Sequence, residues 1–328
     1  MFTDIFKERM RKEPADQKYI YTDEEKALLS ECIVCPRECR INRFAGEKGF
    51  CGISAGFEIA SVCIHKGEEP LISGNEGICN IFFSGCNLRC VYCQNHQISH
   101  PLSEIENTSF TLEEILDRIE LILTGNINSV GFVSPSHVVP QVKAIIRGLK
   151  RRNLSPVTVY NTNSYDKKSV IQSLDGLIDI YLPDYKYATS ELAQEFSEAP
   201  NYPEIALKTI KEMYFQKGSG IQLNDNGMAE SGLIIRHLVL PGHAEESKLV
   251  LRSIAEEIST GVHISLMSQY KPTKFTENHP QLGRAIYETE YESVVEEMEK
   301  LGFRNGWVQE MNSSHSYNPD FRKDHPFE

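Results

Sequence analysis

Three cysteines stand within eight positions of one stretch, GCNLRCVYCQN over residues 85–95, at Cys86, Cys90 and Cys93. A cubane [4Fe-4S] cluster has four irons, so three protein thiolates leave one iron open to a small molecule, the reverse of a closed structural site. Gly85 gives the chain a tight departure into this loop. A zinc site completed by Cys79 or His96, or a set of buried thiols, are the competing readings of the same residues.

A second cysteine group lies upstream. CIVCPRECRINRFAGEKGFCG presents Cys32, Cys35, Cys39 and Cys51 on a short glycine-containing segment too small to build much of a core. Four thiolates close a site, so these residues read as a second metal site, either structural zinc or an auxiliary iron–sulfur cluster. Cys63 and Cys79 have no such spacing and read as small core residues. All nine cysteines fall between Cys32 and Cys93. The opening MFTDIFKERMRKEP is charged and lacks the apolar core of a signal peptide, and no apolar run approaches membrane-spanning length. The expected setting is therefore the cytoplasm, with no membrane partner, where cysteines serve as ligands more often than as disulfides. The formal charge of -12 argues against nucleic acid as principal partner, because phosphate binding wants clustered Lys and Arg.

These residues need elements to position them. From residue 78 onward, short apolar or β-branched runs alternate with helical patterns: strands are expected over 78–83, 130–134, 157–161, 177–182, 233–239 and 263–267. A helix is expected from Thr111, with Glu114 three residues on as a capping box. Another begins at Pro140, and more follow near 203–217, 246–258 and 289–301. Alternation with near-continuous apolar strands implies a parallel sheet in an α/β fold, which places ligands at the carboxyl ends of the strands. The loop of Cys86 leaves the first of these strands at such an end.

CNLRCVYC, with Tyr92 just before its last cysteine, resembles the signature of radical S-adenosylmethionine (SAM) enzymes, and the six strand–helix units are similar to their partial (β/α)6 barrel. The resemblance implies that Cys86, Cys90 and Cys93 hold a [4Fe-4S] cluster, that SAM chelates the open iron, and that Tyr92 lies near the adenine. It implies cleavage of SAM to a 5'-deoxyadenosyl radical that abstracts hydrogen from a substrate. DIYLPDYKY (179–187) and IIRHLVLPGH (234–243) further resemble segments of the glycyl-radical-enzyme activating group, including the pyruvate formate-lyase activating enzymes and their paralogues. This narrower likeness implies an Asp-x-Lys pair, Asp184 and Lys186, beside SAM and the reacting carbon. Of Arg236 and His237, which face opposite sides of a strand, it favours Arg236 for the barrel interior.

Two departures from that family are visible. Where a Gly-Gly-Glu-like element usually follows the second strand, this chain has FVSPSH (132–137), so Ser134 and Ser136 are the expected acceptors for the SAM amino group. YNTNSY (160–165) ends the third strand, and Asn163 is the expected ribose or methionine contact there. The four upstream cysteines precede the signature loop, whereas auxiliary clusters of activating enzymes follow it.

The resulting expectation is an N-terminal cysteine-rich segment over residues 1–70, a radical SAM partial barrel over 71–310 and a tail over 311–328. The expected activity is that of a radical SAM oxidoreductase on a peptide or protein, with glycyl-radical activation as the leading subtype and a low-potential donor such as flavodoxin or ferredoxin. A radical enzyme on a small molecule, or a non-enzymatic iron–sulfur electron carrier, are the alternatives.

Overall fold

Alternating apolar strands and amphipathic helices build a mixed α/β fold with a mostly parallel sheet. The computed structural model describes residues 20–101, 105, 108–311, 319–323 and 325–327. The charged opening stretch and part of the expected tail lie outside them. In chain order the strands are β1 (Phe57–His65), β2 (Ile78–Phe83), β3 (Ser109–Phe110), β4 (Ser129–Val133), β5 (Val157–Thr162), β6 (Ile180–Pro183), β7 (Gln222–Leu223), β8 (Ala229–Leu238), β9 (His263–Met267) and β10 (Gly306–Val308). Their order across the sheet is β10-β9-β8-β6-β5-β4-β2-β1-β3, with β7 paired to β8. From β2 to β10 along this path every pairing is parallel. β1 runs antiparallel to β2, so part of the segment assigned to residues 1–70 adds to the same sheet.

Local sequence accounts for most boundaries. The helix Leu112–Leu123 starts where its capping box places it: Thr111 Oγ1 accepts from Glu114 N at 3.2 Å, and Glu114 Oε2 accepts from Thr111 N at 2.8 Å. The helix Val139–Arg151 carries Pro140 in its first turn, where a missing N–H costs nothing. One strand starts later than its apolar run. Asp179 Oδ2 accepts from both the backbone N–H and the hydroxyl of Thr158, each at 2.8 Å, and this side-chain bonding delays β6 until Ile180.

The sheet curls. Glu68, in the loop between β1 and β2, accepts from Asn80 on β2 at 2.8 Å, from Asn161 on β5 at 3.2 Å and from Arg236 on β8 at 3.3 Å. β2 and β8 are separated in the sheet by β4, β5 and β6, so one carboxylate reaches all three strands only if the sheet wraps around it. Alternation then sorts the side chains. Cys79, Ile81, Phe132, Tyr160 and Ile235 face outward into the main core with the helices. Ile78, Val159, Ile180, Leu182 and Ile234 face inward and fill the amino-terminal end of the interior together with Ile72. Above this apolar plug lies the polar layer of Asn80, Asn161 and Arg236. The tail returns to the sheet, where Phe321 packs with Phe82, Val133 and Cys63.

Candidate active site

The loop after β2 is held from both sides. Gly85 adopts φ +71°, and a Cβ there would overlap the Cys51 carbonyl oxygen. Asn87 is fully buried and donates from Nδ2 to the Tyr165 carbonyl at 2.7 Å. Arg89 and Val91 donate their backbone N–H groups to Ser197 and Phe196. In this frame the three sulfurs line one cavity, and each has a polar partner from a different part of the chain. Asn163 Nδ2 donates to Cys86 Sγ at 3.4 Å, Ser197 Oγ donates to Cys90 Sγ at 2.9 Å, and Ser99 Oγ pairs with Cys93 Sγ at 3.3 Å.

The ends of β6 and β8 supply the charges of the same cavity. Asp184 Oδ2 accepts from Lys186 Nζ at 2.7 Å, and its Oδ1 accepts from Arg236 Nε at 2.9 Å. Burial opposes ionisation of Asp184, but Arg236 and Lys186 hold its carboxyl below the usual range. Burial likewise works against the Lys186 ammonium, and Asp184, with the Cys90 sulfur behind it, raises it nonetheless. The Tyr202 hydroxyl accepts from Lys186 N at 2.9 Å and lies 2.9–3.0 Å from the Asp184 and Asn163 carbonyls, which ties the ends of β5 and β6 together.

Most residues singled out in the sequence meet here. Tyr92, Ser134, Asn163, Asp184, Lys186 and Arg236 line the cavity with the three cysteines. Tyr92 presents its hydroxyl to Tyr187 at 2.6 Å, and Ser134 is held at φ 52° as the chain leaves β4. Ser136 does not line the cavity. Its hydroxyl is fully buried among Thr162, Asn163 and Asp166, so it contacts Asn163 rather than open space. His237 faces away, with Nδ1 2.7 Å from the Tyr185 carbonyl. Sequence reasoning missed Glu68, His65 and Asn161, which line the deep end. The Gly-Glu-Glu run after β1 precedes the signature loop, and nothing in its spacing announces that it folds back under it.

Residues 80–222, which hold the loop of Cys86 together with Asp184 and Lys186, match the family model described as Radical SAM superfamily. Assignment to the radical SAM superfamily is supported. An uncharacterized protein of Methanocaldococcus jannaschii is 27% identical over 282 residues, covering 84% of this chain and 76% of that protein. A second one from the same organism is 29% identical over 157 residues, covering 44% of this chain and 46% of its own length. Among solved structures, a domain of pyruvate-formate lyase-activating enzyme from Bacteroides vulgatus aligns with a TM-score of 0.38 and 16% identity, over 52% of this chain and 93% of that one. Streptococcus suis SuiB bound to S-adenosylmethionine aligns with a TM-score of 0.48 and 13% identity, over 70% of this chain and 50% of that one.

The supported radical SAM assignment implies a [4Fe-4S] cluster and SAM, and the residues present fit both. Burial pushes the Cys86 thiol up to about 12 and the Cys90 thiol up to about 11, so these sulfurs become thiolates only when a metal displaces their protons. Three such sulfurs, each beside a hydrogen-bonding group, face a cavity whose far wall carries a lysine, an aspartate and an arginine. That wall suits a ligand with carboxylate, amino and hydroxyl groups. Among the described residues no helix is long and apolar enough to cross a membrane.

The upstream cysteines lie beside the loop of Cys86, with the Cys51 carbonyl against Gly85. Cys32, Cys35 and Cys51 are buried and Cys39 is partly exposed. Cys39 Sγ accepts from Phe50 N at 3.4 Å, and Arg43 Nη2 donates to Cys51 Sγ at 3.2 Å. Among the described residues no three His, Cys, Asp or Glu side chains are disposed to hold a single metal ion.

Proposed function

We propose that this radical SAM protein is an enzyme that takes a hydrogen atom from a peptide or protein, with activation of a glycyl radical enzyme as the leading instance. The observation that carries the reading is that Cys86, Cys90 and Cys93 share one cavity with Asp184, Lys186 and Arg236. When bound at the three cysteines, the cluster supplies the electron that cleaves SAM to methionine and a 5'-deoxyadenosyl radical.

The chain's own residues bind and orient. Lys186 pairs with the SAM carboxylate, and Asp184 accepts from a ribose hydroxyl while holding Lys186 and Arg236 in place. Tyr92 bounds the adenine side, Ser134 accepts from the SAM amino group, and Asn163 contacts the ribose or methionine moiety. Ser136 acts through Asn163, whose Oδ1 accepts from it at 3.2 Å. Cys32, Cys35, Cys39 and Cys51 form a second metal site in a segment appended to the barrel. A flavodoxin- or ferredoxin-type donor reduces the enzyme. Because a primary radical abstracts from many carbons, selectivity comes from holding one target beside the SAM 5' carbon.

One further reading, a small-molecule substrate, is favoured by the polar lining of the cavity, where Glu68, Asn161, Arg236 and Asp184 form one hydrogen-bonded network. Reductive cleavage tests the common part of both. Anaerobically reconstituted protein with dithionite and SAM should release 5'-deoxyadenosine. A protein that binds iron and sulfide but never cleaves SAM would be an electron carrier, and the enzymatic reading would fall.

A further inference from the structure

The most unusual charge in the molecule lies outside the cavity. Arg43 is 2% exposed, donates from Nη1 to the His137 carbonyl at 2.9 Å and from Nη2 to Cys51 Sγ at 3.2 Å, and leaves Nε without a partner. Its hydrogen-bond partners among the described residues are the His137 carbonyl and the Cys51 sulfur, with no carboxylate among them. A guanidinium keeps its proton throughout the physiological range, and a buried charge persists only beside a counter-charge. Four neutral thiols would offer none. The same sulfurs bound to metal as thiolates would supply it.

The surroundings of these sulfurs match that state. Cys39 Sγ takes the N–H of Phe50 at 3.4 Å, as Cys86 Sγ in the loop after β2 takes that of Leu88 at 3.4 Å. Backbone N–H groups turned onto sulfur are donors well used only by an anionic acceptor. The two groups are also docked directly. The Cys51 carbonyl fills the space left by the missing side chain of Gly85, the residue before Cys86. Arg37 lies 3.7 Å over the Phe50 ring and donates to the Asn87 carbonyl at 2.9 Å, while Arg89 of the loop lies 4.3 Å over that ring.

We propose that Cys32, Cys35, Cys39 and Cys51 hold a redox-active iron–sulfur cluster whose buried counter-charge is the Arg43 guanidinium. It narrows the second metal site of the functional reading to one chemistry and one role, a one-electron store packed against the loop of Cys86. A low-potential donor, dithionite in the test, loses one electron and the site gains one. No proton need follow, because Arg43 stays charged in both states. A zinc ion would satisfy Arg43 but would carry no electron and would need all four sulfurs on one point.

The experiment uses the full chain with Cys86, Cys90 and Cys93 all replaced by Ala, reconstituted anaerobically with iron and sulfide, so that it stands or falls independently of SAM cleavage. This variant should retain about four irons and four sulfides per chain, the content of one cubane cluster, and should show a reduced-cluster electron paramagnetic resonance signal with dithionite. Redox titration of the same signal should move to lower potential in Arg43→Gln, which lacks the charge, and return toward the parent in Arg43→Lys. A folded triple variant that carries zinc without sulfide, or no metal, overturns the proposal. So does a retained cluster whose potential is unchanged in Arg43→Gln, since Arg43 would then not be its counter-charge.

Discussion

Arg236 and Asp184 meet at the ends of neighbouring strands, with Arg236 Nε 2.9 Å from Asp184 Oδ1, while Lys186 takes the other oxygen of the same carboxylate. One anion thus holds two cations at the cavity wall. Asp184→Asn should leave both without their shared counter-charge, and removing one partner of a buried pair costs about 3–5 kcal/mol. Thermal or urea melts should show that loss. SAM-cleavage assays should show at least a tenfold fall, with Arg236→Lys less damaging to folding but unable to reproduce the contacts to Asp184, Glu68 and Asn161 together.

Replacing Cys86, Cys90 and Cys93 with Ala should abolish 5'-deoxyadenosine formation. Product analysis by chromatography checks this, and cleavage that survives the triple change would remove the loop from its assigned role.

Gly85 is where the two cysteine groups touch. Gly85→Ala places a methyl group against the Cys51 carbonyl and strains a residue at φ +71°, so the loop and the upstream segment must separate. Strain at such a position costs of order 1–3 kcal/mol. The expected outcome is a lower melting temperature and reduced iron content, whereas Gly52→Ala, with open space around its Cα but a similar φ of 76°, should cost less and spare the iron.

Acid should weaken the fold before carboxylates titrate. Burial pushes His137 and His237 down to about 4 from the ordinary 6.5. Between those values the unfolded chain binds protons that the folded chain refuses, so stability is intact above about pH 6.5 and falls as the pH drops toward 4. Each histidine contributes up to about 3 kcal/mol of this loss. Urea titrations at pH 7 and pH 5 should differ accordingly, and His237→Gln should flatten part of the slope.

Deuterium transfer addresses the substrate. With deuterated candidate proteins or peptides, 5'-deoxyadenosine should become enriched in deuterium, and with a glycyl radical enzyme partner the label should come from glycine. Stoichiometric enrichment from a deuterated metabolite, with none from proteins, would replace the peptide reading by the small-molecule one.

Residue type and spacing picked out the candidate groups, three cysteines in one loop and four in another, and the family resemblance added an Asp-x-Lys pair at a strand end. Local rules also placed most elements, because a capping box at Thr111 and Glu114 or a run such as ICNIFF expresses interactions within a few residues. Only the tertiary structure decided which side chains share a space. Glu68 joins Asn80, Asn161 and Arg236 because the sheet curls, and no local pattern encodes a contact across 168 positions of chain. Ser134 and Ser136 are equivalent in sequence, yet one lines the cavity and the other is enclosed by Thr162 and Asp166. Arg43 reads as one more surface charge until folding closes the upstream cysteines around it, and burial alone turns it into evidence about their charge.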